Sequence, residues 1–218
     1  MKNPFKKQKK LKVLNLYAGI GGNRWHWPDT EVEVTAVESE QYIADAYQQF
    51  FPNDTVIVGD AHQYLIDHYQ EFDFIWSSPP CPTHSKMSVV NVARGRRKYP
   101  DMALYQEIIW LKHFYKGKFV VENVVPFYKS LIEPTVVIDR HNFWANFDIE
   151  PKDFPRNYGA NAVVGHNIGG VTGQTKETLA NAYGIQLPST VKNQRKLLRN
   201  AVMPVVGDYV YKQLKGEK

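Results

Sequence analysis

The chain contains a single cysteine, Cys81, which lies between prolines in the stretch SSPPCPTHS at residues 77–85. Prolines at positions 79, 80 and 82 each fix a backbone dihedral and remove an amide donor. Such a loop is stiff and can hold a side chain out into a cleft, where nearby basic residues would favour the reactive thiolate. We therefore interpret Cys81 as a nucleophile. The alternative is a small buried hydrophobic residue, which is the commonest state of a free cysteine.

A carboxyl group that could assist this thiol is that of Glu122, which follows the apolar run Phe119-Val120-Val121. An acid at the end of an apolar strand is desolvated, and desolvation favours the form that can donate a proton. The alternatives are the N-cap of a helix or an ion pair with Lys118. A cysteine and an acid on neighbouring strand ends would suit covalent catalysis assisted by proton donation.

Three further features would suit the binding of an adenosine group. The glycine turn YAGIGG at residues 17–22 lets a ligand approach the backbone, and a helix predicted directly after it would present free N–H groups. Glu38 would accept hydrogen bonds from both hydroxyls of a ribose, and Asp60 would accept one from the amino group of adenine. Alternatively, both acids cap the helices that begin at Gln41 and Ala61. The turn and the two acids together favour the adenosine site.

The elements that must position these residues alternate between strands and helices. Strands are predicted at residues 12–17, 32–37, 55–58, 72–76 and 118–121, and helices at residues 41–51, 62–69, 102–115, 176–183 and 202–214. This alternation indicates an α/β fold with a mainly parallel sheet. Residues 135–138 and 142–149 predict an antiparallel edge pair. Ligands bind beyond the carboxyl ends of such a sheet, so the glycine turn, the acids and the cysteine should line one crevice.

Length and composition bound the class of protein. With 218 residues, 43% of them hydrophobic and 22% charged, the chain should form one principal soluble domain. Residues 150–175 are rich in Gly, Asn and Pro and predict a small loop-dominated lobe. No apolar run approaches the ~20 residues that span a bilayer, and no secretory signal is evident. A lone cysteine cannot form an internal disulfide, so we expect a cytoplasmic protein.

The net charge of +5 is concentrated in two basic blocks. The first has lysines at positions 2, 6, 7, 9, 10 and 12 and contains no acid. The second spans residues 74–100, also without an acid, and contains Lys86, Arg94, Arg96, Arg97 and Lys98. Such clusters favour binding to a polyanion through phosphate contacts and counterion release. The first block would otherwise be a solvated tail that aids solubility.

In their identity and order these motifs resemble the cytosine-5 DNA methyltransferases, in a compact form with a very short target-recognition region. Residues 17–22 look like the family's cofactor loop, Phe-x-Gly-x-Gly-Gly, with Tyr17 in place of Phe. Pro79-Pro80-Cys81 is similar to the motif of the catalytic nucleophile, and Glu122-Asn123-Val124 to the motif whose glutamate engages the target base. Residues 199–204 (RNAVMP) are similar to the final Gly-Asn-(Ser/Ala)-Val motif, with Arg199 in place of Gly.

The resemblance implies a Rossmann-like class I methyltransferase fold and the use of S-adenosylmethionine. It implies that the cofactor is bound by Tyr17, Ala18, Gly19, Gly21, Gly22, Glu38, Ser39, Asp60, Ala61, Pro79, Asn200, Ala201 and Val202. It implies catalysis by Cys81 and Glu122, with assistance from Arg140 or His141, because residues 139–144 (DRHNFW) replace the family's Arg-x-Arg motif. DNA contacts are implied for Ser85, Lys86, Arg94, Arg96, Arg97 and Lys98.

The reaction that the resemblance implies is methyl transfer to carbon 5 of cytosine in double-stranded DNA. Cys81 would add to carbon 6, Glu122 would bond ring N3, and loss of the carbon 5 proton would expel the thiol. Arg140 or His141 would assist at O2. Because a stacked base exposes neither face, the cytosine must be flipped out of the duplex. The second basic block would clamp the DNA backbone, and residues 161–175 would contact a groove.

The resemblance also implies a division of the chain into three parts. Residues 1–149 would bind the cofactor and catalyse, residues 150–193 would recognise the target, and residues 194–218 would form a C-terminal helix that returns to the catalytic domain. We expect a monomer. Restriction-modification is a candidate setting, with a cognate restriction endonuclease as partner.

Other functions remain open. Amino-methyltransferases carry an (Asn/Asp/Ser)-Pro-Pro-(Tyr/Phe) motif, and Ser78-Pro79-Pro80 matches its first three positions, with Cys81 in the aromatic place. Such an enzyme has no need of Glu122-Asn123-Val124. The chain could also be a DNA-binding relative without catalysis, which the presence of both Cys81 and Glu122 argues against. An RNA substrate is a further alternative.

Overall fold

A seven-stranded sheet lies at the centre of this computed structural model, which describes residues 9–85, 99–154 and 175–217. In chain order the strands are β1 (Leu11–Leu16), β2 (Val32–Glu38), β3 (Thr55–Val58), β4 (Phe74–Ser77), β5 (Lys118–Val124), β6 (Val136–Ile138) and β7 (His141–Ala145). Their spatial order is β3-β2-β1-β4-β5-β7-β6. Strands β1 to β5 pair in parallel, whereas β7 runs antiparallel to both β5 and β6. The predicted α/β class and the antiparallel pairing of the last two strands are confirmed.

The described part of the chain contains six α-helices. They are α1 (Gln41–Phe50), α2 (Ala61–His68), α3 (Ala103–Phe114), α4 (Lys176–Tyr183), α5 (Gln194–Asn200) and α6 (Pro204–Leu214), and a short 3-10 turn (Tyr69–Glu71) follows α2. The sequence predicted one helix within residues 194–218, whereas the structure has two, α5 and α6. Helix α6 begins at Pro204 rather than at residue 202, because proline is favoured at the first helical position.

Two apolar layers, one on each face of the sheet, hold the helices against it. Side chains alternate along a strand, so Phe74 and Trp76 of β4 face one layer while Ile75 faces the other. The first layer includes apolar residues of α4, α5 and α6, and the second includes those of α2 and α3. Burial of the central strands on both faces explains the near-continuous apolar runs in the sequence.

Strand β5 is longer than predicted and β7 is shorter. β5 extends through Val124 because it pairs with β7 as far as His141, and β7 ends at Ala145 instead of residue 149. Glu122 therefore lies within the strand, opposite Phe143, rather than beyond its end. A position on a paired strand holds this carboxyl group more rigidly than a loop would.

The helix predicted directly after the glycine turn is absent. Residues 17–31, all of them described, form a series of tight turns, one of which is closed by the N–H of Arg24 on the carbonyl of Gly21 at 3.0 Å. Gly21 has a left-handed φ of 77°, which a right-handed helix does not allow. The buried Arg24 side chain bonds the carbonyl of Trp27 at 2.6 Å and the carboxylate of Asp54 at 3.1 Å. These bonds hold the turns in place.

The C-terminal segment packs on the turns that follow β1. A Cβ added at Gly22 would lie 2.2 Å from the carbonyl oxygen of Val202, and one added at Gly207 would lie 2.2 Å from that of Asn23. The indole N–H of Trp27 donates to the carbonyl of Gly207 at 3.2 Å. The absence of two side chains therefore lets the end of the chain contact its beginning.

Several predicted regions lie outside the described residues. They are residues 1–8 of the lysine block, residues 86–98 of the second basic block and residues 155–174 of the loop-dominated lobe. The division of the chain into three parts stays a prediction. Helix α4 belongs to the predicted recognition part, and its residues Leu179, Ala180 and Tyr183 pack in the same apolar layer as the sheet. None of the helices described here is long and apolar enough to cross a membrane.

We expect Gly207→Ala to destabilise the protein, although alanine within a helix is normally more stable than glycine by up to about 1 kcal/mol. The added methyl group would meet backbone atoms of Asn23, which cannot rotate away, and overpacking of this kind costs about 1–3 kcal/mol. Gly59→Ala is the matched control, because no atom lies within 4 Å of a Cβ at that position. Urea denaturation measures both free energies of unfolding, and an unchanged value for Gly207→Ala would contradict the packing.

Candidate active site

The glycine turn adopts a left-handed backbone conformation at three positions. The φ angles of Tyr17, Gly19 and Gly21 are 54°, 55° and 77°. A residue other than glycine is strained by about 1–3 kcal/mol in this region and needs support from its surroundings. For Tyr17 that support includes a hydrogen bond from its hydroxyl to the carboxyl group of Glu107 at 3.0 Å. Burial, and then Glu107, raise the pKa of Tyr17 far above its usual value, so the hydroxyl keeps its proton.

Glu107 is a buried carboxyl group on α3, only 1% exposed, that joins three other elements. It accepts hydrogen bonds from Tyr17 after β1 and from the hydroxyl of Ser77 at the end of β4, and it contacts Nδ1 of His62 on α2 at 3.2 Å. The bond to Glu107 raises the pKa of His62 against the opposing effect of burial. Glu107 was not among the predicted site residues, although an acid within the apolar sequence of α3 is a recognisable signal.

The carboxylate of Glu38 lies at the end of β2 and faces the glycine turn. Its Oε2 accepts the N–H of Gly19 at 3.0 Å, and its Oε1 accepts the N–H groups of Ser39 at 2.9 Å and Glu40 at 3.2 Å. The N-cap of α1 is Glu40, whose side chain makes no capping bond, so the helix-cap alternative is wrong for Glu38. A carboxylate oxygen accepts two hydrogen bonds, which leaves a position on Oε2 for another donor.

Asp60 does cap the helix that follows it. Its Oδ1 accepts the N–H of Gln63 at 2.8 Å, at the start of α2. Asp60 also lines a cavity of about 290 Å³, together with Tyr17, Pro79 and Leu104. This volume is near the lower end of the range for small-molecule pockets, about 300–1,000 Å³. The cap uses only one carboxylate oxygen, so capping and ligand binding are compatible at Asp60.

The other predicted cofactor residues are placed by the strand ends and by the C-terminal segment. The N–H of Ala18 donates to the carbonyl of Val37 at 3.0 Å, and Ala61 is the buried first residue of α2. Asn200 is exposed at the end of α5. Ala201 and Val202 follow it, and both lie against Gly22.

Cys81 is half-buried in a tight turn beyond the end of β4. Its carbonyl accepts the N–H groups of His84 at 3.0 Å and Ser85 at 3.1 Å. Burial raises the pKa of the Cys81 thiol, the charge of Glu122 raises it further, and Arg199 acts in the opposite direction. The expected depression of this pKa rested on the basic residues at positions 86–98, which lie outside the described residues. Among the described residues, burial and the carboxylate outweigh the guanidinium. The thiol is protonated at neutral pH in the free protein.

His84, three residues after Cys81, is buried, at 1% exposed. Its Nδ1 is 2.6 Å from the hydroxyl of Tyr128, and its carbonyl accepts the N–H of Phe127 at 3.1 Å. Burial lowers the pKa of the imidazole. These contacts tie the Cys81 turn to the segment that follows β5.

Glu122 is 7% exposed on β5, and its charge reaches the neighbouring thiol. Nε2 of His141, on β7, lies 3.7 Å from Oε1 of Glu122. Arg140 is exposed in the turn before β7, and its carbonyl accepts the N–H of Val125 at 2.8 Å. Arg140 and His141 are the two candidates for assisting catalysis. Among the described residues, only His141 can form an ion pair with Glu122, and it does so when its imidazole is protonated. An ion pair of Glu122 with Lys118 is not found among those residues.

The side chain of Asn123 joins the two strands that carry the thiol and the carboxyl group. Its Nδ2 donates to the carbonyl of Pro79 at 2.9 Å, and its Oδ1 accepts the N–H of Val124 at 3.0 Å. Pro79 precedes Cys81 by two residues, and Asn123 directly follows Glu122. This buried bond therefore limits how far the two groups can move apart. Asn123 was not predicted as a site residue, although its place in the Glu-Asn-Val motif was a signal for it.

One of the predicted DNA contacts, Ser85, lies in the Cys81 turn. Lys86, Arg94, Arg96, Arg97 and Lys98 lie outside the described residues, as do residues 161–174. These DNA contacts stay predictions.

We expect Arg199→Gln to raise the pKa of the Cys81 thiol, because the guanidinium favours the thiolate. At a pH below that pKa, iodoacetamide should then alkylate the variant about two- to fivefold more slowly than the wild type. The effect is modest because water and salt screen the exposed guanidinium. Lys112→Gln, on the exposed surface of α3, is the control. The pH dependence of alkylation measures the shift, and identical profiles for Arg199→Gln and wild type would contradict the electrostatic contact.

The site can be compared with known proteins. A family model described as C-5 cytosine-specific DNA methylase matches residues 11–134, which is more than half of the chain. A search of curated proteins finds no match.

Two solved structures share the fold over almost the whole chain. The Entamoeba histolytica methyltransferase EhMeth is 12% identical with a TM-score of 0.57, and the match covers 96% of this chain and 99% of that one. The E260A/E261A/K263A mutant of Spodoptera frugiperda DNMT2 is 15% identical with a TM-score of 0.58, covering 94% of this chain and all (100%) of that one. At such low identity these likenesses concern the fold. The family model covers the strands that carry the glycine turn, Cys81 and Glu122, and the chain therefore belongs to the C-5 cytosine-specific DNA methylase family and is a DNA cytosine-5-methyltransferase.

Proposed function

We propose that this chain transfers a methyl group from S-adenosylmethionine to carbon 5 of cytosine through a covalent adduct between Cys81 and a flipped base. The observation that carries the proposal is the juxtaposition of Cys81 and Glu122. The carboxylate is close enough to raise the pKa of the thiol, and the bond from Asn123 to Pro79 joins the two strands. A nucleophile and an acid placed in this way can engage two positions of one ring.

Cys81 activates the base. Carbon 5 of cytosine is too weak a nucleophile to accept a methyl group directly, so a bond to carbon 6 must form first. The sulfur forms that bond and gives up its proton. The raised pKa keeps this proton on the sulfur in the free protein; once the base is bound, the proton passes to water, and Arg199 supports the negative charge on sulfur.

Glu122 holds the opposite edge of the ring. A hydrogen bond from its carboxyl group to N3 disperses the electron pair that the addition releases, and carbon 5 becomes nucleophilic. His141 lies beside Glu122 and is the better placed of the two candidate residues to assist at O2. After methylation, water accepts the carbon 5 proton, and the electron pair of that C–H bond forms the ring double bond and expels the sulfur as the thiolate.

The residues around the glycine turn fit the cofactor. S-adenosylmethionine supplies an electrophilic methyl group. The cavity beside Tyr17, Asp60 and Leu104 suits an adenine ring, whose amino group can donate to the carboxylate oxygen of Asp60 that the cap leaves unused. Oε2 of Glu38 has a position for one ribose hydroxyl.

The proposed substrate is double-stranded DNA. The target cytosine must leave the stack before the thiol can reach carbon 6, as in other enzymes that act on a base. The net charge of +5 favours association with a polyanion. We propose that the chain acts as a monomer, with a cognate restriction endonuclease as a candidate partner.

Cys81→Ser should abolish transfer to carbon 5, because a serine hydroxyl is a far weaker nucleophile than a thiolate. Glu122→Gln keeps the shape of the side chain but removes the acid, and it should lower the rate by about 10²–10⁴-fold. Both are measured with labelled cofactor and plasmid DNA, followed by base-resolution mapping of 5-methylcytosine. Retained activity in Cys81→Ser would instead favour an amino-methyltransferase and overturn the mechanism.

DNA that contains 5-fluorocytosine tests the adduct itself. Fluorine cannot leave as a proton does, so the wild-type protein should remain attached to the DNA in denaturing electrophoresis when the cofactor is present. Cys81→Ser should form no such complex. An active wild-type enzyme that is never trapped would show that the covalent step is wrong.

Substitutions at Asp60 should separate its two roles. Asp60→Ala removes the cap of α2 and should cost about 1 kcal/mol of stability, whereas Asp60→Ser keeps a capping hydroxyl and should restore most of it. Both lose the carboxylate, so both should raise the KM for S-adenosylmethionine. Thermal unfolding and steady-state kinetics measure the two effects. A normal KM in Asp60→Ser would limit Asp60 to helix capping.

A further inference from the structure

A second cavity, of about 510 Å³, is formed by α4, α5 and the residue before α5. Among the described residues it is lined by Lys176, Asn193, Gln194, Arg195, Lys196 and Arg199, and we call it the α4–α5 cleft. This described lining holds four cationic side chains, two amides and no carboxylate. Such a composition suits an anion, because the cations supply charge and the amides supply further hydrogen-bond donors.

The cations of α5 are placed where they repel one another. Arg195 and Arg199 are four residues apart and Lys196 and Arg199 three, so all three lie on one side of the helix, where like charges destabilise it. Their side chains are exposed, whereas Leu197 and Leu198 of the same helix are buried. An anionic ligand would relieve this repulsion.

Two of the four cations in the cleft, Lys196 and Arg199, pair with no acid among the described residues. Lys176 lies 3.7 Å from the exposed carboxylate of Glu177, which is a weak surface ion pair. The exposed side chains of Lys196 and Arg199 can therefore attract a ligand.

Arg199 connects the cleft to the catalytic thiol. Its side chain lines the cleft, and its charge acts on Cys81. The residues that follow it, Ala201 and Val202, pack against Gly22 of the glycine turn. Arg199 therefore belongs both to the lining of the cleft and to the charged surroundings of the thiol.

We propose that the α4–α5 cleft binds phosphodiester groups of the nucleic-acid strand that carries the target base, next to the flipped nucleotide. This inference rests on the proposed function and states where that substrate is held. Cations spread over one helical turn, about 6 Å, suit successive phosphates of a strand better than one small anion. Phosphate contacts position a strand without reading its sequence. A flipped nucleotide needs such positioning, because its stacking and pairing are lost.

The double variant Arg195→Gln/Lys196→Gln tests the proposal, because it removes two charges and keeps good helix formers on α5. Lys112→Gln, on the surface of α3, is the matched control. Fluorescence anisotropy measures the affinity for a short DNA duplex of mixed sequence over a range of salt concentrations. The slope of log K against log salt should become shallower by about one for each lost phosphate contact, and the affinity should fall by about tenfold or more.

A wild-type slope and affinity in the folded double variant would overturn the proposal, whatever its methylation activity. If the double variant has a shallower slope but the wild-type protein shows no methyl transfer, the phosphate site stands and the proposed function is refuted. Circular dichroism checks folding. If the double variant is unfolded, Lys196→Gln alone should show half of the change in slope, and an unchanged slope there would also overturn the proposal.

The position next to the flipped nucleotide has its own test. A neutral methylphosphonate replaces the phosphate on either side of a cytosine that base-resolution mapping has identified as methylated. The wild-type protein should lose affinity for this duplex, whereas the double variant, which has already lost the contact, should lose little more. Equal losses in both proteins would place the cleft elsewhere on the DNA and overturn this part of the proposal.

Discussion

Much of the site's geometry depends on one buried carboxyl group, that of Glu107 on α3. A carboxyl group taken out of water costs free energy unless hydrogen bonds replace its lost hydration. Here the partners are Tyr17, Ser77 and His62, each from a different element. Tyr17 follows β1 and Ser77 ends β4, so one group supports both the strained glycine turn and the strand that leads to Cys81. The proposed cofactor-binding and nucleophilic parts of the site are thereby coupled through α3.

The C-terminal segment completes this arrangement from the other face of the sheet. Gly22 allows the turns after β1 to contact the backbone of Val202, and Gly207 of the last helix allows contact with the backbone of Asn23. Packing therefore holds the C-terminal segment against these turns. The same return brings Arg199 near the thiol and, with it, the basic surface of α5. Arg199 thus adds a charge that acts on the sulfur and that, in our proposal, also contacts the polyanionic substrate.

The electrostatics of Cys81 differ from those of a permanently activated thiolate. Burial and the charge of Glu122 raise the pKa of the thiol, which keeps it protonated and less open to alkylation or oxidation in the free protein. In the proposed mechanism, binding of the base changes that environment, since the carboxyl group then has a ring nitrogen as its partner. Reactivity would therefore arise when the substrate is in place, at a geometry that the bond from Asn123 to Pro79 has already fixed.

The sequence by itself determined the α/β class, most strand and helix positions, and the order of the motifs, because periodicity and turn residues are local properties. It also predicted Cys81, Glu122 and the two acids Glu38 and Asp60 as site residues. Only the tertiary structure decided that turns replace the helix after β1, that His141 lies beside Glu122, and that the thiol pKa is raised. It alone revealed Glu107, whose partners lie 30 to 90 residues away. Burial, charge coupling and hydrogen bonding depend on distances between segments that are remote in the chain, and no local pattern encodes those distances.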